Sequence, residues 1–451
     1  MTDDRRRPTP LAPGLDVPFA WALGIEDTFV PQLHARSGRI LDEYVLTQHD
    51  RFWREDLRMI GELGVRFLRY GIPWYQVNPA PGRFDWSWTD EALPFLVEEL
   101  GIQPILDLVH YGAPLWLDGT FLAPDYPERV AEYAAAVADR YGHLVQLWTP
   151  LNEPRVHAHF SGRVSAWPPY RRGEPGYAQV LASLARGMAR TVDAIRAARD
   201  DAVMVHVDAM SIVESAAPEL EAIVRQRLEH QFLALDLIEG RVTPGHPMWQ
   251  YLLDNRVPAA WLDELAGTDR RMEIYGGNFY PQMSVWVIDG SAERPTRRRR
   301  RGTAHDLEHA LREALRRTER PVMLTETSVY GRVRARRQWL EESVAAVSRI
   351  REDGLPLVGY IWFPAFSLVA WSYRPGAKPT EAYMAHMGLW DLRDDGTGTL
   401  RREPTGLERE YAELAAAPVE SRSGGRRRRL QRPQTHVIPT ASPWGRDPGL
   451  T

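Results

Sequence analysis

LVQLWTPLNEP, residues 144–154, runs like a buried β-strand through Leu147, Trp148 and Thr149. It then breaks at Pro150, and Asn152 and Glu153 stand side by side ahead of Pro154. An amide and a carboxylate cost free energy to bury where an apolar strand stops, so their meaning depends on the segments around them. From Phe19 to about Phe366 short apolar runs alternate with longer stretches of helical period, the pattern of parallel β/α units. Strand candidates fall at 19–26, 65–72, 103–110, 144–153, 202–209, 273–280, 321–327 and 357–363. Amphipathic stretches such as REDLRMIGELG, TDEALPFLVEELG, PERVAEYAAAVADRYG and RQWLEESVAAVSRIREDG lie between them, several ending in a glycine suited to a left-handed cap. Eight such repeats predict an α/β protein with a single-domain (β/α)8 TIM barrel. The expected boundaries are an N-terminal extension over 1–17, a barrel over 18–416 and a disordered tail over 417–451, rich in arginine and proline. The run ERPTRRRRRGTAHD, 293–306, reads as an exposed loop, with a patch for phosphate or an acidic partner as the sharper alternative.

Barrels of this kind build their sites at the carboxyl ends of the strands. Asn152 and Glu153 occupy such an end, and so do Arg69, His110, Tyr280, Glu326 and Trp362. Taken singly, each has a structural reading: Glu153 as a helix cap, Glu326 and Arg69 as partners in a buried ion pair, His110 and Tyr280 as satisfied core groups, Trp362 as filler. Functional groups at the same end of six strands, however, converge in space. Glu153 after the fourth strand and Glu326 after the seventh would face one another across the mouth. Two such carboxyls cleave glycosidic bonds, with retention of configuration at a separation of about 5 Å and inversion at roughly 6.5–9.5 Å. They cannot both ionise cheaply, so one proton is shared unequally. An arginine and a phenol beside Glu326 would keep it ionised as nucleophile and leave Glu153 protonated as acid.

The 451 residues carry a formal net charge of -4, which gives no global electrostatic case for nucleic acid or an anionic membrane as partner. Cysteine is absent, which removes disulfides and thiolate chemistry. Nowhere do about eighteen apolar residues run uninterrupted, and the N-terminus has no apolar core behind its basic residues. The expectation is a soluble, cytoplasmic protein without cofactor or metal, whose partner is a small glycoside or oligosaccharide.

TPLNEP, LTETS, RFLRYGIPWYQVNPAPGRFDW, GNFYP and the closing MGLWDL together resemble glycoside hydrolase family 1, in the right order over about Phe19 to Leu392. The resemblance implies a retaining β-glycosidase of the β-glucosidase kind. It implies Glu153 as acid/base, Glu326 as nucleophile, Asn152 on the sugar 2-hydroxyl, His110 on another glycone hydroxyl, Arg69 and Tyr280 holding the nucleophile, and Trp362 as aromatic floor. Three departures accompany it. LGIEDTF replaces the usual glutamine motif, so Glu26 or a neighbour takes its place; Ala370-Trp371 stands where Glu-Trp is usual; and Thr327-Ser328 follows the nucleophile. The missing glutamate before Trp371 keeps open a sugar-binding barrel without turnover, and transfer to an acceptor other than water is a further alternative. HAHF, with His157 and His159 two apart, leaves a metal-dependent barrel hydrolase as a third reading.

Overall fold

The computed structural model describes residues 19–416. The expected N-terminal extension and C-terminal tail lie outside the described residues. Eight parallel strands close on themselves: β1 (Ala20–Gly24), β2 (Phe67–Gly71), β3 (Gln103–Asp107), β4 (Leu147–Thr149), β5 (Val203–Ala209), β6 (Ile274–Asn278), β7 (Val322–Thr327) and β8 (Leu357–Trp362). Their order round the ring is their order along the chain, and the ring shuts where Ala20–Leu23 of β1 pairs with Gly359–Trp362 of β8. This is the expected (β/α)8 barrel. β4 is only three residues long because Pro150, which has no N–H to give the ladder, follows at once.

Alternation within the strands sorts side chains into two cores. Ala20, Ala22, Phe67, Ile105, Leu147, Val205, Ile274, Met323 and Ile361 point inward and fill the barrel. The alternate positions meet the surrounding helices, among them α1 (His49–Gly61), α2 (Tyr126–Tyr141), α3 (Gly173–Ala198), α4 (Glu221–Ile238), α5 (Ala304–Thr318) and α6 (Val333–Glu352). Each helix buries one stripe, as α1 does with Trp53, Leu57 and Ile60. Gly64, Gly101 and Gly354 take positive φ after their helices, as expected, but Gly142 stays right-handed at φ -61°. Among the described residues no helix is long and apolar enough to cross a membrane.

The arginine run is largely exposed, as composition suggests, but it is not a loop. Pro295–Arg299 is a strand, antiparallel to Val285–Gly290, which in turn runs parallel to Ile212–Glu214. This small sheet rises from the ends of β5 and β6. Arg300 fixes its far end: Nε and Nη2 donate to Glu214 (2.7 and 2.9 Å), and Nη1 and Nη2 to Asp306 (both 2.8 Å). Asp306 also completes a capping box with Thr303 at the start of α5.

After the barrel the chain returns as α7 (Leu407–Ala416). The hydroxyl of buried Tyr411 donates to the backbone carbonyl of Ala22 on β1 (2.5 Å) and reaches the backbone carbonyl of Tyr360 on β8 (3.3 Å). The last helix thereby stitches the seam between the first and last strands.

Candidate active site

Glu153 follows β4, where its N–H donates to the Val207 carbonyl of β5 (3.0 Å). It is the N-cap residue of the helix Pro154–Ala158 and takes a left-handed backbone, φ 45° and ψ 64°. For a residue with a Cβ that conformation costs about 1–2 kcal/mol. Its carboxylate accepts from the Tyr111 hydroxyl (2.5 Å) and from Asn278 Nδ2 (3.0 Å). Glu326, within β7, accepts from Arg69 Nη1 at one oxygen and from the Tyr280 hydroxyl at the other (2.8 Å). Both carboxylates line one cavity at the carboxyl mouth of the barrel.

Arg69, fully buried on β2, is the hub. Besides Glu326 it reaches Asp107 (2.5 Å) and Asn152 Oδ1 (2.6 Å) through Nη2. The bond to Oδ1 orients the Asn152 amide, so Nδ2 faces the Tyr111 hydroxyl (2.9 Å) and His110 Nε2 (2.8 Å). On its other side His110 Nδ1 lies 2.6 Å from Asp27. Gly71 leaves room for Asp27, whose carboxylate a side chain at that position would overlap.

Charge and burial compete throughout. Burial pushes the Glu326 carboxyl up to about 8; Arg69 pulls it down and Glu153 pushes it further up. Burial would also raise Asp107, but Arg69 and His110 hold it below the usual carboxylate range. Burial raises Glu26 despite the pull of His110. For His110, burial opposes a charge while Asp27 and Asp107 favour one strongly, and the sum is upward. The hydrogen bonds decide differently. Nε2 meets a donor on Asn152, and turning that amide would break its bond from Arg69, so the ring accepts at Nε2 and keeps its proton on Nδ1, toward Asp27.

Of the residues expected from sequence, Glu153, Glu326, His110, Tyr280, Glu26 and Trp371 line the cavity, with Arg69 and Asn152 directly behind the carboxylates. Trp362 is not brought there: it is fully buried and donates from Nε1 to the Met387 carbonyl (3.2 Å). The ring at the wall is Trp371, packed against Tyr111 and Trp167. Ala370 is buried, and its neighbour Val369 donates its N–H to buried Glu43 (3.0 Å). Asp27, Asp107, Tyr111 and Asn278 belong to the constellation; sequence reasoning singled out none of them by number, and Asp27 entered it only as a neighbour of Glu26. The signal for Asp107 was a charge inside the apolar run ILDLV, three residues before His110.

His157 and His159 part company. His157 is fully buried between Tyr111 and Phe121, and burial lowers it to about 3, whereas His159 lines the cavity. Among the described residues the cluster with metal-ligand spacing is Asp27, Asp107 and His110 instead. Arg69 at 2.5 Å from Asp107 places a cation there already, and His110 Nδ1 lies 2.6 Å from Asp27. HAHF contributes no residue to this cluster.

The family model of Glycosyl hydrolase family 1 matches residues 23–327. Beta-glucosidase A of Thermotoga maritima is 27% identical over 244 residues, 52% of this chain and 54% of that protein. The chain thus spans about half the length of that relative. A 1,4-beta-D-glucan glucohydrolase of Thermotoga neapolitana is 24% identical over 76% of this chain and 86% of its own. Among solved structures, the Thermotoga maritima beta-glucosidase in complex with glucoimidazole superposes with TM-score 0.75 at 18% identity, covering 88% of this chain and 97% of the other.

Proposed function

We propose, from the premise that this chain belongs to glycosyl hydrolase family 1, that it hydrolyses β-linked glycosides with retention of configuration. The observation that carries this reading is the asymmetry of the carboxylate pair: Arg69 lies against Glu326, so charge assigns the shared proton to Glu153. In the first step a Glu326 oxygen attacks the anomeric carbon, the bond to the leaving oxygen breaks, and Glu153 delivers its proton to that oxygen. The product is an ester between sugar and Glu326. That esterification removes the negative charge facing Glu153, which then takes a proton from water as the water oxygen attacks the anomeric carbon and expels the Glu326 carboxylate. His110 and Glu26 line the cavity for glycone hydroxyls, with Trp371 as the ring beside them, and Asn152, held by Arg69 and bonded to His110, stands behind them.

The test is a pair of variants. Glu326→Gln should lose turnover of every aryl β-glycoside while remaining folded, and a fluorosugar that traps the ester should label the peptide bearing Glu326. Glu153→Ala should retain turnover of a nitrophenyl glycoside with azide present, giving a β-glycosyl azide. Activity of Glu326→Gln within about tenfold of the parent, set against the scale of catalytic effects, overturns the assignment.

A further inference from the structure

Where Glu26 and His110 line the cavity, acid outweighs base. Glu26 is 5% exposed, and Asp27, Glu43 and Asp107 are buried with it around His110. Asp107 is matched by Arg69, which Glu326 shares, and Asp27 by His110 Nδ1 (2.6 Å). Glu43 accepts at Oε2 from the Val369 N–H, just ahead of Ala370 and Trp371 (3.0 Å). Thr28 stands beside Glu26, yet Glu26 Oε1 and Glu43 Oε1 are both buried without a hydrogen bond. The nearby cations are engaged elsewhere. His49 and Arg402 both meet Asp56, at 2.8 and 2.7 Å, around a small space that Glu26 also lines. Of the arginines on the cavity wall, Arg155 and Arg163 lie against Asp208 and Glu174, and Arg297 and Arg299 lie over Trp286.

Burial raises Glu26, Asp27 and Glu43 alike, and Glu26 pushes Glu43 further. Carboxyls crowded out of water are costly to ionise unless a cation joins them. A sugar hydroxyl brings a donor but no charge, so it leaves the repulsion between them in place. An ammonium brings three donors and a unit charge to a wall made of acceptors, and that charge offsets the repulsion. Where the sugar lies follows from the proposed glycosidase chemistry, on which this inference rests: its anomeric carbon meets Glu326, and the rest of its ring faces His110 and Glu26. We propose that the glycone is an amino sugar, its ammonium against Glu26 with Asp27 and Glu43 reinforcing the charge. The same acids disfavour a uronic acid or a sugar phosphate.

The experiment uses 4-nitrophenyl β-glycosides of the gluco and galacto series in which an amino group replaces each glycone hydroxyl in turn, at about pH 6, where the amines are charged. Each is compared with its hydroxyl parent and with its N-acetyl derivative, which carries the nitrogen without the charge. One amino glycoside should exceed its hydroxyl counterpart about tenfold in kcat/KM, chiefly through KM, and exceed the N-acetyl derivative too. Glu26→Gln, nearly the same shape without the charge, should bring that ratio down about tenfold, and Glu43→Gln should lower it less. The corresponding β-glucuronide should be the poorest substrate of all. Calorimetric binding of methyl amino-β-glycosides to Glu326→Gln gives a readout independent of turnover; the preference for the amine should appear there and vanish in Glu26→Gln/Glu326→Gln. The ratios of the unsubstituted protein stand whether or not the variants fold. Turnover of hydroxyl glycosides with no amino glycoside preferred, or a preference that Glu26→Gln keeps, overturns the amino sugar and leaves the glycosidase reading intact. An amine preference in binding that depends on Glu26, without turnover of any glycoside, overturns the glycosidase reading instead.

Discussion

Glu153 carries a backbone penalty together with its proton. Because its φ is 45°, replacing it by glycine and by alanine separates chemistry from conformation: both variants lose the acid, but alanine keeps the Cβ that the left-handed region disfavours. Glu153→Gly should therefore be more stable than Glu153→Ala by about 1 kcal/mol, the reverse of the order at an ordinary helical site, as read by calorimetric unfolding. Tyr111 gives a second test. Its hydroxyl donates to Glu153 and so favours the charged form. In Tyr111→Phe the carboxylate that forms as Glu153 gives up its proton loses that donor, so substrates with poor leaving groups should slow about tenfold, whereas an activated nitrophenyl glycoside should hardly slow. Sequence reading reached Glu153 and Glu326 because each ends a recognisable apolar strand. It passed over Asn278 and Tyr111 because each stands one or two positions from a residue already singled out, and only coordinates tell which neighbour turns into the mouth.

The barrel strands were legible from their unbroken apolar character, which burial on both faces demands. The strand Pro295–Arg299 was not, because nothing in PTRRR alternates between apolar and polar; its backbone pairing with Val285–Gly290 makes it a strand. Its anchor is testable. Burial would raise the Asp306 carboxyl, but Arg300 and Thr303 outweigh it and hold the group at about 2. A folded value below the unfolded one stabilises fully above about pH 4, and the contribution fades as pH falls through 2. Asp306→Asn should accordingly lower Tm clearly at pH 6 and progressively less as pH falls from 4 toward 2. Thr303→Ala, which removes the other half of the capping box, should cost about 1 kcal/mol.

On the scale of the whole molecule, α7 is the helix that follows β8, and it holds the barrel shut. Tyr411→Phe, which keeps the ring and loses the bond to Ala22, should cost about 1 kcal/mol. Tyr411→Ala should cost about 3–5 kcal/mol, because it also empties a fully buried site beside Trp21 and Tyr360. Denaturant midpoints measure both, and a Tyr411→Ala protein as stable as its parent would mean that α7 rests on the barrel without closing it. The same seam governs how the chain can be made. β1 leaves the ribosome first and finds β2 within some fifty residues, but its other neighbour, β8, begins at Leu357. Through most of synthesis β1 therefore offers an unpaired edge to any passing strand. Yield in a cell should depend on whether a chaperone shields that edge until the last quarter of the protein arrives.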